Sequence, residues 1–341
     1  MLAADFKLAL RRVATGIPLE SAEAEAIFGA VMQGQATTAQ IAGLLMALRV
    51  RGETVAELTG LVRAMRARMI SVEAPSGAID VCGTGGDGHG TLNISTAVSF
   101  VAAGAGVTVA KHGNRALSSR AGGADVLMAL GVNIEPPVAA LPRILREVGC
   151  VFLFAPKHHP ALRHAAPVRV ELGTRTLFNL TGPMANPARV QKQLIGVFDA
   201  TWARPMAETL KNLGTISAWV IHGNGFDELS LDGQNHVVML QNGEIVETTL
   251  TAADAGLPAA PAAAITGGDA AENAAALTAL LAGARNPYRD TVLFNAAAAL
   301  IVAGVVPSLR DGVAAAAHAI DSGRGEDVLA NLVTASKEFS A

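Results

Sequence analysis

The chain has 341 residues, which at roughly 150 residues per domain predicts about two domains with ample length to bury a core. Hydrophobic residues make up 51% and charged residues 16% of the sequence, whereas disordered chains show the opposite bias. The 26 basic and 29 acidic residues give a net charge of -3, which argues against a general nucleic-acid-binding protein. We therefore expect a folded protein that does not take nucleic acid as its partner.

Cysteine usage and hydropathy bear on cellular location. Cys82 and Cys150 are far apart and form no metal-type pair, so we expect free thiols in a reducing cytoplasm. Charges within the opening MLAADFKLALRR leave no apolar stretch for a signal peptide. Thr291–Leu309 has nearly the length of a membrane span, but its alanine content and its interruptions by Asn, Gly and Pro favour a buried core helix. We expect a cytoplasmic protein without a membrane partner.

Residues 1–72 are predicted to form a small helical domain. Thr37 and Gln40 have the spacing of a capping box before an apolar run, and a glycine ends that run. Thr54 and Glu57 repeat the spacing at the start of the next helix. The pattern indicates an all-helical beginning of the chain, and we expect part of residues 160–190 to join this domain.

Residues 73–341 are predicted to form a larger α/β domain. Short β-branched runs alternate with alanine-rich helical segments, and crossover helices of this kind favour a mainly parallel central sheet. A hairpin is predicted over Gln234–Val246, around Asn242-Gly243, and residues 252–274 are predicted to be a loop region. The predicted strands are Ile79–Cys82, Val107–Ala110, Cys150–Phe154 and Ala218–Ile221.

A glycine-rich loop follows the first predicted strand. Its backbone amides, nearby hydroxyls and a helix N-terminus would make an anion cradle. The match to G-x-G-x-x-G does not indicate a dinucleotide site, because the helix begins late and Lys111 stands where an acidic residue is expected. A structural glycine turn remains the alternative. The loop contains Gly83, Thr84, Gly85, Gly86, Asp87 and Gly88, followed by Thr91, Asn93, Ser95 and Thr96.

A second polar loop, residues 111–120, follows the next predicted strand and should lie beside the first. It carries Lys111, His112, Asn114 and the Ser118-Ser119 pair. Cations and amides at adjacent strand ends suit a diphosphate or a phosphorylated sugar. Alone, this loop would be interpreted as an exposed basic turn, and His112 as a packing residue.

Histidines and an arginine distinguish the region that follows the third predicted strand. His158, His159 and His164 lack the helix-face spacing and carboxylate partner of a usual zinc site, so metal binding is not predicted there. Arg169 has the donor geometry for a carboxylate or phosphate group, although a surface salt bridge is the simpler interpretation of a single arginine.

Adjacent carboxylates occur in a fourth loop, residues 223–230 (GNGFDELS). Asp227 and Glu228 follow an apolar strand, and a solvated turn is one interpretation of them. Magnesium prefers such oxygen ligands and is often shared with substrate phosphates. Because two anion-binding loops are expected at the same sheet edge, magnesium is the better interpretation.

Nearly the whole chain resembles the anthranilate phosphoribosyltransferase family. The resemblance rests on the order and spacing of QIAGLLMALRVRGETVAEL, DVCGTGGDGHGTLNIST, VAKHGNRALSSRAGGADVLMALGV, GTRTLFNLTGPMANP and GFDELS. It implies a nucleoside-phosphorylase-like fold, transfer of a phosphoribosyl group from phosphoribosyl diphosphate to the anthranilate amine in tryptophan biosynthesis, Mg²⁺ as the metal, and a homodimer. Association with anthranilate synthase is not predicted.

The resemblance also implies roles for single residues, without a general base. It assigns phosphoribosyl diphosphate to Gly83, Thr84, Gly85, Gly86, Asp87, Thr91, Asn93, Ser95, Thr96, Lys111, Ser118 and Ser119. It assigns anthranilate to Gly83, His112, Asn114, Arg169 and Pro183, and magnesium to Ser95, Asp227 and Glu228. The chain departs from the family pattern at Leu92, Ala121 and Gly123, where phenylalanine and serines are common.

Two other functions belong to the same structural superfamily. A pyrimidine nucleoside phosphorylase would use inorganic phosphate, but the GTGGD and KHGNR loops look unlike its signatures. A nucleic-acid-binding member without enzymatic activity would be expected to have a basic surface, which disagrees with the charge of -3. The transferase is therefore the leading prediction.

Overall fold

The computed structural model describes residues 5–116 and 120–339. The N-terminal part is helical, as predicted. The capping boxes at Thr37 and Thr54 start the third and fourth helices, and Gly52 ends the third. These helices are α1 (Phe6–Ala14), α2 (Ser21–Met32), α3 (Thr38–Arg51) and α4 (Val55–Arg66).

A seven-stranded sheet forms the centre of the remaining chain. Its order is β3-β2-β1-β4-β5-β6-β7; the first five of these strands run parallel, and β6 and β7 are antiparallel. The strands are β1 (Ile79–Gly83), β2 (Val109–Gly113), β3 (Cys150–Phe154), β4 (Lys192–Gly196), β5 (Ser217–Gly223), β6 (Asn235–Gln241) and β7 (Glu244–Leu250). The predicted α/β class and mainly parallel sheet are confirmed.

Helices cover both faces of the sheet, and short 3₁₀ turns join several elements. The helices are α5 (Ile94–Gly104), α6 (Gly123–Ala129), α7 (Leu141–Val148), α8 (Ala155–His158), α9 (Ala166–Leu172), α10 (Phe178–Thr181), α11 (Ala203–Asn212), α12 (Ala270–Leu281), α13 (Pro287–Ala303), α14 (Leu309–Asp321) and α15 (Arg324–Lys337). The 3₁₀ turns are Val138–Ala140, Pro160–His164, Pro183–Ala185, Ala200–Trp202, Ala252–Ala255 and Ala262–Ile265.

Alternation of side chains along the strands divides the hydrophobic core into two clusters. Leu194 and Ile221 face a cluster that contains α5 and α13. Ile195 and Val220 face a second cluster, which contains the N-terminal helices and part of residues 165–185. Successive strand residues point to opposite faces, so one sheet packs against both layers of helices.

Several element boundaries differ from the predictions. The strand predicted over 107–110 extends to Gly113, which places Lys111 and His112 within β2 rather than in the loop. β4 was not predicted, and the predicted loop at 252–274 contains two 3₁₀ turns and the start of α12. α13 is the buried core helix predicted within 291–309. Among the described residues, no helix has the length and apolarity required to cross a membrane.

Candidate active site

Four polar segments meet at one edge of the sheet because they follow parallel strands. β1 pairs with β2 on one side and with β4 on the other, and β4 pairs with β5. The first and second loops are therefore neighbours, as predicted, and the acidic loop after β5 reaches them across β4. In sheets of this kind, ligands bind beyond the carboxyl ends of the strands.

The glycine-rich loop is held by groups from other loops at this edge. Asp227 Oδ2 accepts a hydrogen bond from the Gly85 amide at 2.7 Å. The Phe198 amide donates to the Thr84 hydroxyl at 3.1 Å, and the Thr84 amide donates to the Gly196 carbonyl at 2.9 Å. The acidic loop and the loop after β4 thus fix the start of the glycine-rich loop.

Glycine is required at two positions beneath Asp227. A Cβ atom on Gly83 would lie 2.2 Å from Asp227 Oδ2, and a Cβ atom on Gly196 would lie 1.5 Å from the Asp227 carbonyl oxygen. No side chain fits at these distances. The strand ends therefore approach Asp227 so closely that its carboxylate reaches the glycine-rich loop.

The N-terminus of α5 contacts both the acidic loop after β5 and Lys111 of β2. The Ser95 amide donates to Glu228 Oε1 at 3.0 Å, a favourable place for a carboxylate because of the helix dipole. The buried Lys111 Nζ donates to the Ser95 hydroxyl at 3.2 Å and to the Val81 carbonyl at 2.6 Å. The predicted metal and phosphate residues Ser95, Lys111 and Glu228 are thus in contact.

Residues 265–273, which we call the strap, pack along the later part of the glycine-rich loop. The Leu92 amide donates to the Ile265 carbonyl at 2.9 Å, and the Gly267 amide donates to the Gly90 carbonyl at 2.8 Å. Thr91 forms an antiparallel bridge with Thr266. The strap orders residues 90–93, and its role was not predicted from the sequence.

Asp227 and Glu228 have raised pKa values. Burial, followed by the charge of Asp87, raises the pKa of Asp227. Burial, followed by the charge of Asp227, raises the pKa of Glu228, against the opposing effect of Lys111. The repulsion among these carboxylates would be relieved by a divalent cation.

The donor set fits Mg²⁺ rather than an all-protein metal cage. Across the two described ranges, no three His, Cys, Asp or Glu side chains are gathered so as to hold a metal. Mg²⁺ is commonly held by one or two carboxylates together with waters and substrate phosphates. Asp227, Glu228 and the Ser95 hydroxyl offer oxygen ligands of this kind.

Two buried histidines and Pro183 lie on the other side of β2 from Lys111. His112 Nδ1 donates to the Gly182 carbonyl at 3.1 Å, and the His112 and His159 rings are 5.2 Å apart. Burial lowers the pKa of His112 well below its ordinary range and, with the His158 charge, that of His159 to about 4. Both imidazoles are therefore neutral at physiological pH, and the buried Pro183 follows Gly182.

Asp80 holds this region in place from within β1. Its carboxylate accepts from the His112 amide at 3.0 Å and from Asn186 Nδ2 at 2.8 Å. Burial raises the pKa of Asp80 to about 6, although the Lys111 charge opposes the shift. This buried carboxylate connects β2 with the loop that contains Pro183.

Arg169 is a half-buried cation on α9. Its guanidinium carbon lies 5.3 Å from the centroid of the Phe178 ring, and burial lowers its pKa. No ion pair to Arg169 is found within residues 5–116 and 120–339. The salt-bridge interpretation thus finds no support in the described structure, and Arg169 is available to a ligand carboxylate.

Arg175 connects the segment after α9 to the glycine-rich loop. Its guanidinium donates to the Gly86 carbonyl, and its Cζ lies 4.1 Å from the centroid of the Phe198 ring. Phe198 itself donates through its amide to Thr84. Arg175 therefore secures the loop both directly and through Phe198.

Two further predicted residues differ in accessibility. Asn114 is exposed, and its Oδ1 accepts from the Arg115 amide at 2.8 Å. Thr96 is 1% exposed, so its hydroxyl lies beneath the site rather than at its surface. Ser118 and Ser119 lie outside the described residues.

Two family models match the chain in succession. Residues 7–69 match the helical bundle domain of a glycosyl transferase family, and residues 76–326 match the a/b domain of the same family. An anthranilate phosphoribosyltransferase from Rhodopseudomonas palustris is 54% identical over 333 residues, covering 97% of this chain and 98% of the relative. The chain belongs to the anthranilate phosphoribosyltransferase family.

Solved structures agree with this membership. The anthranilate phosphoribosyltransferase from Thermus thermophilus has a TM-score of 0.92 and 44% identity, covering 96% of this chain and 99% of that chain. An anthranilate phosphoribosyltransferase from Saccharomyces cerevisiae, in complex with PRPP and Mg, shares the fold with a TM-score of 0.90 at 24% identity, with 98% of each chain covered. The chain is accordingly a pentosyltransferase of the anthranilate phosphoribosyltransferase family.

Some site residues of this family member were missed by sequence reasoning. Asp80 had a signal, since a charged residue inside an apolar strand requires buried partners. Nothing in the sequence marked Phe198 or Asn273, because they act through contacts with residues more than 100 positions away in sequence. Arg175 lies in the GTRTLFNLTGPMANP segment that carries the resemblance, but its contact with Gly86 was not predicted.

Proposed function

We propose that this site transfers the 5-phosphoribosyl group of phosphoribosyl diphosphate to the anthranilate amine, releasing diphosphate and forming N-(5-phosphoribosyl)anthranilate for tryptophan biosynthesis. The observation that carries the proposal is the meeting of a glycine-rich loop, a buried lysine and paired carboxylates at one sheet edge, together with a half-buried arginine, Arg169, that has no ionic partner among the described residues. One side suits a metal-bound diphosphate, and the other an aromatic acid.

The glycine-rich loop and α5 would hold phosphoribosyl diphosphate. Backbone amides at a helix N-terminus and a nearby cation are the donors that phosphate groups require. Gly83, Thr84, Gly85, Gly86, Asp87, Thr91, Asn93, Ser95, Thr96, Lys111, Ser118 and Ser119 are proposed for this side. Of these, Lys111 supplies charge and Asn93 an amide donor, whereas Thr96 supports α5 from beneath.

Asp227, Glu228 and Ser95 would hold Mg²⁺. When bound, the metal would offset the charge that develops on the leaving diphosphate. The chain's own part is to orient these oxygens, through the Gly85 amide for Asp227 and the Ser95 amide for Glu228. Lys111 and the loop amides stabilise the same negative charge.

Gly83, His112, Asn114, Arg169 and Pro183 would hold anthranilate. The Arg169 guanidinium pairs with the carboxylate, and the neutral His112 ring and Pro183 contact the aromatic ring. The anthranilate amine is already a nucleophile, so positioning opposite the leaving group provides most of the rate gain, and no general base is assigned.

Arg169→Ala tests this assignment. We expect KM for anthranilate to rise at least about tenfold, because a charge-assisted hydrogen bond is lost, with KM for phosphoribosyl diphosphate nearly unchanged. The assay follows the loss of anthranilate fluorescence with and without Mg²⁺. Arg163→Ala, on the preceding turn, is the matched control. An active wild type whose two KM values respond equally to Arg169→Ala would contradict the anthranilate assignment.

We further propose that the chain acts in the cytoplasm as a homodimer and binds neither nucleic acid nor membranes. Support for the dimer comes from α1, α3 and α9, which pack side by side and expose Leu8, Val50 and Val170. The helical domain would comprise residues 1–72 with part of 160–190, and the α/β domain residues 73–341. The second hydrophobic cluster supports the grouping of residues 165–185 with the N-terminal helices, and it also contains sheet residues such as Ile195 and Val220.

A further inference from the structure

Asn93 occupies the N-cap of α5 but does not cap the helix. An asparagine at this position ordinarily accepts a hydrogen bond from the second or third helical amide, a contact that stabilises the helix. Here the Asn93 side chain makes no such bond, and the Ser95 amide is bound by Glu228 instead. The Asn93 amide group is held by other partners.

A chain of four groups determines the orientation of the Asn93 amide. The Gly268 amide donates to Asn273 Oδ1 at 2.7 Å, and Asn273 Nδ2 donates to Asn93 Oδ1 at 2.8 Å. Asn93 Nδ2 then donates to the Ala121 carbonyl at 3.3 Å. Asn273 is 2% exposed, so water does not compete for this contact.

Backbone groups at both ends make this order of donors and acceptors unambiguous. The Gly268 N–H can only donate, so the Asn273 atom facing it is the oxygen. The other terminal atom of Asn273 is then the nitrogen, which must face the Asn93 oxygen. The Ala121 carbonyl can only accept, which independently requires the Asn93 nitrogen on that side. The two ends agree.

We propose that Asn273 is a positioning residue that fixes the Asn93 amide as a hydrogen-bond donor to the anionic phosphoribosyl diphosphate. This inference rests on the proposed function and deepens it. Within residues 5–116 and 120–339, the second N–H of Asn93 Nδ2 has no partner, so it is available to an oxygen of the substrate. A reversed amide would present a carbonyl oxygen and repel the same group.

The strap is built to deliver Asn273 to this position. A Cβ atom on Gly267 would lie 2.7 Å from the Thr91 backbone, and one on Gly268 would lie 1.7 Å from Glu272 Oε2. Gly267 is therefore needed for the close approach to the Thr91 backbone, whereas a side chain at Gly268 would first meet the movable end of the Glu272 side chain. Tyr288 adds a further contact, because its hydroxyl donates to the Asn93 carbonyl at 3.3 Å.

Asn273→Asp is the most informative substitution. The carboxylate still accepts from Gly268 but cannot donate to Asn93, so the Asn93 amide is driven to reverse. We expect KM for phosphoribosyl diphosphate to rise at least about tenfold, since a charge-assisted donor is replaced by an acceptor. Asn273→Ala merely frees Asn93 to rotate, and a rise of about threefold is expected. KM for anthranilate should change less than about twofold in both variants.

Controls separate positioning from a general loss of structure. Asn133→Asp alters an asparagine with similar backbone contacts near α15, far along the chain from the strap, and should leave both KM values unchanged. In an Asn93→Ala background, Asn273→Asp should raise KM for phosphoribosyl diphosphate less than about twofold, because its effect passes through Asn93. Thermal melting verifies folding, and calorimetry with phosphoribosyl diphosphate and Mg²⁺ measures binding without turnover.

The outcomes distinguish this inference from the proposed function. An inactive, folded wild type would overturn the proposed function and the inference with it. An active wild type with an unchanged KM for phosphoribosyl diphosphate in Asn273→Asp, or an undiminished effect in the Asn93→Ala background, would overturn the inference alone. Should Asn273→Asp fail to fold, Asn273→Ala replaces it in both tests. An unchanged affinity of Asn273→Ala for phosphoribosyl diphosphate, or an equal loss of affinity when Asn273→Ala is added to Asn93→Ala, would then overturn the inference.

Discussion

Asp227 and Glu228 are held by backbone amides, yet their surroundings oppose ionisation. Burial and neighbouring carboxylates raise both pKa values above the ordinary range near 4. In the metal-free protein, the folded state therefore binds more protons than the unfolded state once pH exceeds about 4. The contribution of these groups to the free energy of unfolding should fall as pH rises from about 4 through neutrality.

The double variant Asp227→Asn with Glu228→Gln should flatten the dependence of the free energy of unfolding on pH. The comparison uses urea denaturation at several pH values in the presence of a chelator. Asp254→Asn is a control whose effect on the pH dependence should have the opposite sign. Hydrogen bonds from Thr251 lower the pKa of Asp254, so the contribution of Asp254 to the free energy of unfolding is lost as pH falls. The prediction would be contradicted if the free energy of unfolding differed between the wild type and the double variant by the same amount at every pH.

The residues of the site were predictable to different degrees. Local composition marked the glycine-rich loop and Asp227 and Glu228 as candidates, and the expected position of their loops at one sheet edge favoured a shared site. Asn273 is one asparagine in an alanine-rich helix, and nothing local marks its contact with Asn93. Its partner is chosen by the fold, so a single sequence does not contain the signal.

At the scale of elements, strands with continuous apolar runs were predictable and β4 was not. β4 begins with the polar pair Lys192-Gln193, and its five residues are too short to show a period. Gln193 is nevertheless buried, and its Nε2 donates to the Pro183 carbonyl at 2.8 Å. β2 was placed too early because Lys111 and His112 look like loop residues, whereas pairing with β3 extends the strand through both.

The segment between α9 and α10 should control the glycine-rich loop through Arg175. Arg175→Ala removes the contacts with Gly86 and Phe198, so the loop becomes less ordered. We expect KM for phosphoribosyl diphosphate to rise about three- to tenfold, which corresponds to roughly 1 kcal/mol for a lost hydrogen bond. Steady-state kinetics measure the effect, and melting temperature should change little because Arg175 is exposed.

Two variants complete this test. Arg204→Ala removes another exposed arginine, whose partners Glu208 and Glu247 lie outside the site, and should leave KM unchanged. Arg175→Lys keeps the charge but not the planar group, and should recover only part of the affinity. Equal KM values for Arg175→Ala and wild type would show that the contact has no role in binding.

For the whole molecule, the exposed apolar side chains on α1, α3 and α9 predict self-association. Val50 is 82% and Val170 is 80% exposed, an unusual state for valine on neighbouring helices. Light scattering should give twice the mass of the chain. Val50→Glu should shift the molecule toward a monomer, whereas Val305→Glu, a control at an exposed valine after α13, should not. A monomeric wild type would contradict the proposal.

The strap has a consequence for the order of events during synthesis. Asn273 lies 180 residues after Asn93 in the chain. At roughly 5–20 residues per second, a ribosome needs about 10–40 s to travel between them. During that interval the glycine-rich loop has already emerged without the groups that order residues 90–93. A nascent chain thus gains the contacts that order residues 90–93 only after Asn273 has been made, shortly after the last strand of the sheet ends at Leu250.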